Sequence, residues 1–185
     1  MLTTTIFWKR TDVHGLERLH ISPSRDAAKG VIINVENDGA EVRHRWQFAA
    51  DWQVLALNVQ RYDPKGEHKV RIERRGQGWT VNGKERPELD GAEFVDLSLT
   101  PFCNSFPISC MLNDELDAAI FDVVYINGDT LKVSRSRQAY DRLDADHFRY
   151  RDLGLSSGFQ AQLRVDQDGL VAEYEGLFKR VDVTP

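Results

Sequence analysis

The sequence predicts an all-β, mainly antiparallel domain whose single curled sheet forms a β-roll or half-barrel. Three observations predict it. Turn-forming runs recur along the whole chain, and the segments between them alternate apolar and polar residues with the period of a strand. No linker, low-complexity tract or fixed-period repeat breaks the series. About a dozen strands in one open sheet would pass the ~10 at which twist makes sheets curl or close, so a rolled sheet is expected. With 185 residues, a single domain over 1–185 is expected, since domains run to about 100–200 residues. A chain of this size buries about 70% of its unfolded surface and needs no metal or disulfide to fold.

The turns come first. Asn37-Asp38-Gly39, Asp63-Pro64-Lys65-Gly66, Asn82-Gly83, Asn127-Gly128 and Asp166-Gln167-Asp168-Gly169 each separate two alternating runs. Asn and Asp tolerate left-handed backbone and Gly adopts it freely, which is what tight hairpins demand. The strands follow from their period. Val42, His44, Trp46 and Phe48 share one face against Arg43, Arg45 and Gln47, and Val70 and Ile72 alternate with Arg71 and Glu73. Phe159, Ala161, Leu163 and Val165 alternate with Gln160, Gln162, Arg164 and Asp166, and Leu170, Ala172 and Tyr174 continue beyond the turn. Ala119 to Ile126 is apolar on both sides except at Asp122, the pattern of a central strand covered on both faces. Helical periodicity is confined to a short stretch, Met111 to Ala119. Asp96 to Ile108 holds Pro101 and Pro107, and Pro lacks the ladder donor and fixes its own φ. That segment is expected as an ordered apolar loop or sheet edge, with Phe102 and Phe106 plugging one end of the roll.

Composition narrows the function. Hydrophobic residues at 41% and aromatics at 10% exclude disorder and coiled coil. Twenty-four Lys+Arg against 29 Asp+Glu give a net charge of -5. No nucleic-acid partner is expected, because counterion release needs a basic face. No apolar run approaches the ~20 residues of a spanning helix, so no integral membrane insertion is expected. The opening Met1-Leu2-Thr3-Thr4-Thr5-Ile6-Phe7-Trp8-Lys9-Arg10 has no basic n-region followed by an apolar core, which points to a cytoplasmic protein. Cys103 and Cys110 lie seven apart, fit neither a redox pair nor a zinc knuckle, and are expected as two free thiols.

Signatures of catalysis are missing. The histidines His14, His20, His44, His68 and His147 fall on different elements, and neither a Gly-x-Ser-x-Gly elbow nor a His-Glu-x-x-His pair occurs. His44 reads as a core residue on the apolar face of its strand, and the Asp166 to Gly169 run as a plain turn. The chain is therefore expected not to be an enzyme, and no metal or other cofactor is expected. Residues suited to ligand contact do occur. Thr100, Asn104 and Ser105 offer polar groups beside the Phe102 ring. Arg137 offers a planar fork of donors and Tyr140 a ring for stacking. Trp79, with Trp46 and Trp52, could line an aromatic hollow or simply fill the core. In strand geometry Arg135, Arg137 and Ala139 share one face, and Ser136, Gln138 and Tyr140 the other. Arg137 reaching a ligand competes with Arg137 paired to an acidic neighbour such as Asp96.

The run DLSLTPFCNSFPI, with RIERRGQGWTVNGKERPELDGAEFVDLSLT before it, RQAY after it and GFQAQLRVDQDGLVAEYEGLFKR near the end, resembles the putative glycolipid-binding domain family of bacteria. That family was formerly catalogued as a domain of unknown function. The resemblance spans about Trp46 to Arg180. Family members usually read Thr-Pro-Phe-Thr-Asn-Thr-Leu-Pro-Ile at the core, and here Cys103, Ser105 and Phe106 replace the second Thr, the third Thr and the Leu. What the resemblance implies is a curled antiparallel sheet similar to bacterial lipoprotein carriers, with an apolar concavity that holds an amphiphile such as a glycolipid. The ligand-binding residues it and the side chains nominate are Thr100, Phe102, Asn104, Ser105, Arg137, Tyr140 and Trp79. Two alternatives stand beside it: a structural or protein-interaction module whose concavity is filled by its own side chains, and an unrecognised hydrolase of a lipid or sugar ester.

Overall fold

The computed structural model describes residues 4–36 and 39–182. Among the described residues, fifteen strands form one sheet. The first arm is a meander: β1 (Thr4–Arg10), β2 (Gly15–Ile21), β3 (Ala27–Asn34), β4 (Ala40–Phe48), β5 (Val54–Asp63), β6 (Gly66–Arg75), β7 (Gly78–Val81) and β8 (Lys84–Glu85). The second begins with β9 (Phe94–Leu97), crosses through a 3-10 turn (Pro101–Asn104) and helix α1 (Ser105–Asn113), and returns as β10 (Ala118–Ile126). It continues through β11 (Val133–Arg142), β12 (His147–Asp152), β13 (Gln160–Val165), β14 (Val171–Tyr174) and β15 (Phe178–Val181). β15 pairs with β1, which joins the two arms into one order, β8 to β1 and then β15 to β9. Every pairing is antiparallel except β9 with β10, the one connection long enough to carry a crossover.

The turn signals lie where they were expected. Pro64 and Lys65 form the two-residue loop of the β5–β6 hairpin. Asn82 and Gly83, at φ of 51° and 78°, form the β7–β8 turn, with both central residues in the left-handed region that this hairpin type requires. Asn127-Gly128 and Asp166 to Gly169 connect β10 to β11 and β13 to β14. Asn37 and Asp38 lie outside the described residues.

The sheet stays open but its ends are tied. The segment from Arg86 to Glu93 accompanies the first arm through Gly91 N–H to Gln77 O (2.9 Å) and reaches the second through Glu93 N–H to Asp122 O (2.7 Å). Arg135 adds a donor to Asp90 O at 2.6 Å. The inner face carries the core, and α1 with its 3-10 turn fills it. Phe102 and Phe106 are fully buried, 4.9 Å apart between ring centroids, and pack on Trp46 (5.7 and 5.2 Å) and Phe48 (6.2 and 5.5 Å). Each buried ring of this size adds on the order of 1.5–3 kcal/mol of transfer free energy.

Three expectations need correction. The helix lies at Ser105–Asn113, not at Met111 to Ala119, and β10 already begins at Ala118. Pro107 does not prevent it, because Pro107 is the third residue of α1, where a backbone N–H has no intrahelical partner to lose. Pro101 opens the 3-10 turn in the same way, and the Thr100 hydroxyl caps it by accepting Phe102 N–H at 3.1 Å. Finally, β10 is second from the edge and is not covered on both faces. Ile120 is 61% exposed, and Asp122 on the same face takes part in ion pairs.

Candidate functional site

Filling of the inner face by α1 leaves a half-open recess between the 3-10 turn and strands β12 to β15. Its volume is about 230 Å³, and its walls include Asp96, Thr100, Cys103, Asn104, Tyr125, Tyr150, Asp152, Tyr174 and Phe178. Ser156 and Phe159 of the β12–β13 loop stand at the mouth, Phe159 38% exposed. The residues converge because alternation in each strand sends them inward: Phe148, Tyr150 and Asp152 on β12, Ala172 and Tyr174 on β14.

The floor is a hydrogen-bonded relay. Asn104 Nδ2 donates to the Tyr140 hydroxyl (2.9 Å), which donates to Gln138 Oε1 (3.1 Å), and Gln138 Nε2 donates to Asp96 Oδ2 (2.5 Å). The Cys103 thiol donates to Asp96 Oδ1 at 3.0 Å. Burial raises the Asp96 pKa above the ordinary carboxylate range, the two donors oppose that rise, and the neighbouring Asp152 charge adds to it. Burial and the Asp96 charge push the Cys103 thiol well above its usual value, so it stays protonated and is no nucleophile. Burial likewise holds the phenols of Tyr140, Tyr150 and Tyr174 neutral.

The walls carry polar groups with nothing to bond. Tyr150, Asp152 and Tyr174 are only 5%, 7% and 7% exposed. Among the described residues the Gly154 amide, at 2.7 Å from Oδ1, is the one donor to the Asp152 carboxylate, and neither the Tyr150 nor the Tyr174 hydroxyl has a partner. Polar groups in largely buried residues are normally paired, so two phenols without a protein partner and a carboxylate with one donor around a single recess mark a place where a ligand or water supplies the remaining bonds.

Behind Thr100 lies a second buried polar chain. Thr100 Oγ1 donates to Glu17 Oε1 at 2.9 Å, and His44 Nε2 lies 3.0 Å from that oxygen. The Trp46 indole N–H donates to His44 Nδ1 at 2.8 Å, which makes Nδ1 an acceptor and assigns the ring proton to Nε2. The Nε2–Glu17 contact is close in distance but its N–H is not aligned for a hydrogen bond, and Glu17 Oε2 has no partner. The imidazole fits only because Gly30 faces it across the β3–β4 ladder: a Cβ there would lie 2.1 Å from Nε2.

The residues nominated from sequence divide. Thr100 and Asn104 line the recess. Tyr140 backs it through Asn104. Phe102 is buried in the aromatic cluster, and the Ser105 hydroxyl accepts Val171 N–H at 3.3 Å inside the core. Trp79 is buried elsewhere, its indole donating to Ala92 O at 2.9 Å. Arg137 points outward, as its strand face implies, and binds Asp122 (2.9 Å) rather than Asp96. With Arg135, it holds the Asp122 carboxyl down at a pKa of about 2. Both cysteines are free. Asp152, Tyr150 and Tyr174 were missed; the signal for Asp152 was a carboxylate two residues after Tyr150 on the apolar side of a strand. No helix among the described residues is long and apolar enough to cross a membrane.

A family model described as putative glycolipid-binding matches residues 5–180. The chain belongs to this family. The crystal structure of a DUF1089 family protein from Pseudomonas aeruginosa superimposes with a TM-score of 0.81 at 31% identity, covering 90% of this chain and 92% of that one. No curated protein matches the chain. The glycolipid-binding family name and the curled antiparallel sheet agree with what the sequence implied. The helix and its Phe rings occupy the apolar part of the inner face, and the recess left over has a polar floor and aromatic walls.

Proposed function

We propose that this glycolipid-family protein binds the sugar headgroup of an amphiphile in the recess between Asp96, Tyr150, Asp152 and Tyr174, without chemical turnover. The observation that carries the reading is the set of recess-lining oxygens, the Tyr150 and Tyr174 hydroxyls and the Asp152 carboxylate, whose hydrogen bonds the protein leaves largely unmade beside aromatic rings. Carboxylate and phenol oxygens suit sugar hydroxyls, and ring faces suit the C–H surface of a pyranose. A volume of about 230 Å³ falls below the roughly 300–1,000 Å³ of sites for drug-sized ligands, so the recess suits one ring and not an acyl chain. The acyl portion would leave through the mouth past Phe159.

Native mass spectrometry of the purified full chain, followed by organic extraction, tests this reading. A co-purified glycolipid lost in Asp152→Asn supports it. A chain that carries no lipid and binds no added alkyl glycoside contradicts it.

A further inference from the structure

We propose that the headgroup taken by the recess carries a positive charge, as a sugar with a free protonated amine does, in preference to a neutral, acetylated or acidic sugar. The inference rests on the reading of the recess as a sugar site and adds the charge of the sugar. Two carboxylates, Asp96 and Asp152, face the recess, and none of its lining residues is Lys, Arg or His. Three arginines of the surrounding strands are committed elsewhere. Arg10 lies over the Phe178 ring at 4.9 Å and pairs with Asp12 at 2.5 Å. Arg151 of β12 pairs with Asp141 at 3.1 Å, and Arg180 of β15 with Asp166 at 2.6 Å.

Beyond its charge, the Asp152 carboxylate has acceptor capacity that its one protein donor does not fill. Asp152 receives one backbone N–H, and the oxygens of Tyr150 and Tyr174 receive none among the described residues. An ammonium brings three donors and no acceptor, and aromatic faces attract it further. A phosphorylated or carboxylated sugar would instead place a third negative charge beside two carboxylates with no counter-ion, which buried sites do not tolerate. Asp152 is the group best placed to receive the amine. Asp152 as a residue is more than nine-tenths buried with one donor on its carboxylate, whereas the two oxygens of Asp96 already accept from Cys103 and Gln138.

Calorimetric titration of the full chain with glucosamine, glucose, N-acetylglucosamine and glucose 6-phosphate tests the charge at about pH 6, where a sugar amine of ordinary basicity is protonated. A charge-assisted bond to Asp152 should make glucosamine bind roughly 10- to 100-fold more tightly than glucose. Glucose 6-phosphate should not bind. Asp152→Asn, which keeps the shape and the Gly154 contact, should erase the glucosamine preference, weakening glucosamine binding more than glucose binding, with Tm close to wild type. Glucose or N-acetylglucosamine binding as well as glucosamine would overturn the charge assignment and leave the sugar reading standing. Binding of none of the four would overturn both. A glucosamine preference that survives Asp152→Asn would overturn the placement of the amine.

Discussion

Replacing Gly30 with Ala should destabilise the protein through a residue in another strand. A Cβ at position 30 would sit 2.1 Å from Nε2 and 2.3 Å from Cε1 of His44, far inside van der Waals contact. The ring has nowhere to shift without releasing the Trp46 indole N–H, since Trp46 is buried and His44 is its acceptor. Stranding that donor costs about 1–3 kcal/mol, and moving the imidazole from the buried Glu17 carboxylate brings the total to about 2–5 kcal/mol. At about 2–4 °C per kcal/mol for a chain of this length, Tm should fall by roughly 4–20 °C. Urea unfolding followed by circular dichroism measures it. In a His44→Ala background the same change should become neutral or stabilising by up to about 1 kcal/mol, because Ala in a strand loses less backbone entropy than Gly. A Gly30→Ala protein within about 0.5 kcal/mol of wild type, or the same loss in both backgrounds, would refute the reasoning.

Asn104→Leu should lower stability by about 1–3 kcal/mol, seen as a lower Tm, because the buried Tyr140 hydroxyl loses its donor. The Asp122 carboxyl has a folded pKa of about 2, below its unfolded value, so its contribution is present above about pH 4 and is lost as pH falls toward about 2. Urea unfolding of wild type and Asp122→Asn across that window should differ at neutral pH by at most about 1 kcal/mol, as for an exposed ion pair, and converge in acid. Asp96 has the opposite sign: its folded pKa is raised, so mild acidification should stabilise wild type relative to Asp96→Asn, and a difference independent of pH would contradict the assignment. Alkylation of Cys103 should proceed only at the rate of unfolding, read by mass spectrometry of labelled peptides, since the thiol is buried and protonated.

The rolled sheet was legible because its signals are local. Asn82-Gly83 needs two left-handed residues, and the alternation at Val42, His44, Trp46 and Phe48 faces a single core. The helix at Ser105–Asn113 was hidden by reading Pro107 as a breaker, although a first-turn proline breaks nothing. β10 read as central because its outward Ile120 is apolar, and no local pattern tells an apolar residue on the surface from one beneath a second layer. The recess escaped for a different reason. Asp96 and Asp152 are far apart in sequence and meet only when β9 to β15 curl, so spacing could not pair them. Arg137 drew attention by its donors, yet its strand face already pointed it at Asp122.

The central claim is that the recess walled by Tyr150, Asp152 and Tyr174 receives a sugar headgroup. Titration of isotopically labelled protein with an alkyl glycoside, followed by backbone and side-chain NMR shifts, tests it most directly. The account predicts saturable shifts centred on Tyr150, Asp152, Gly154 and Tyr174 that weaken in Asp152→Asn. Shifts confined to residues away from the recess, such as the exposed Leu16 of β2 and Ile33 of β3, or none at all, would contradict it.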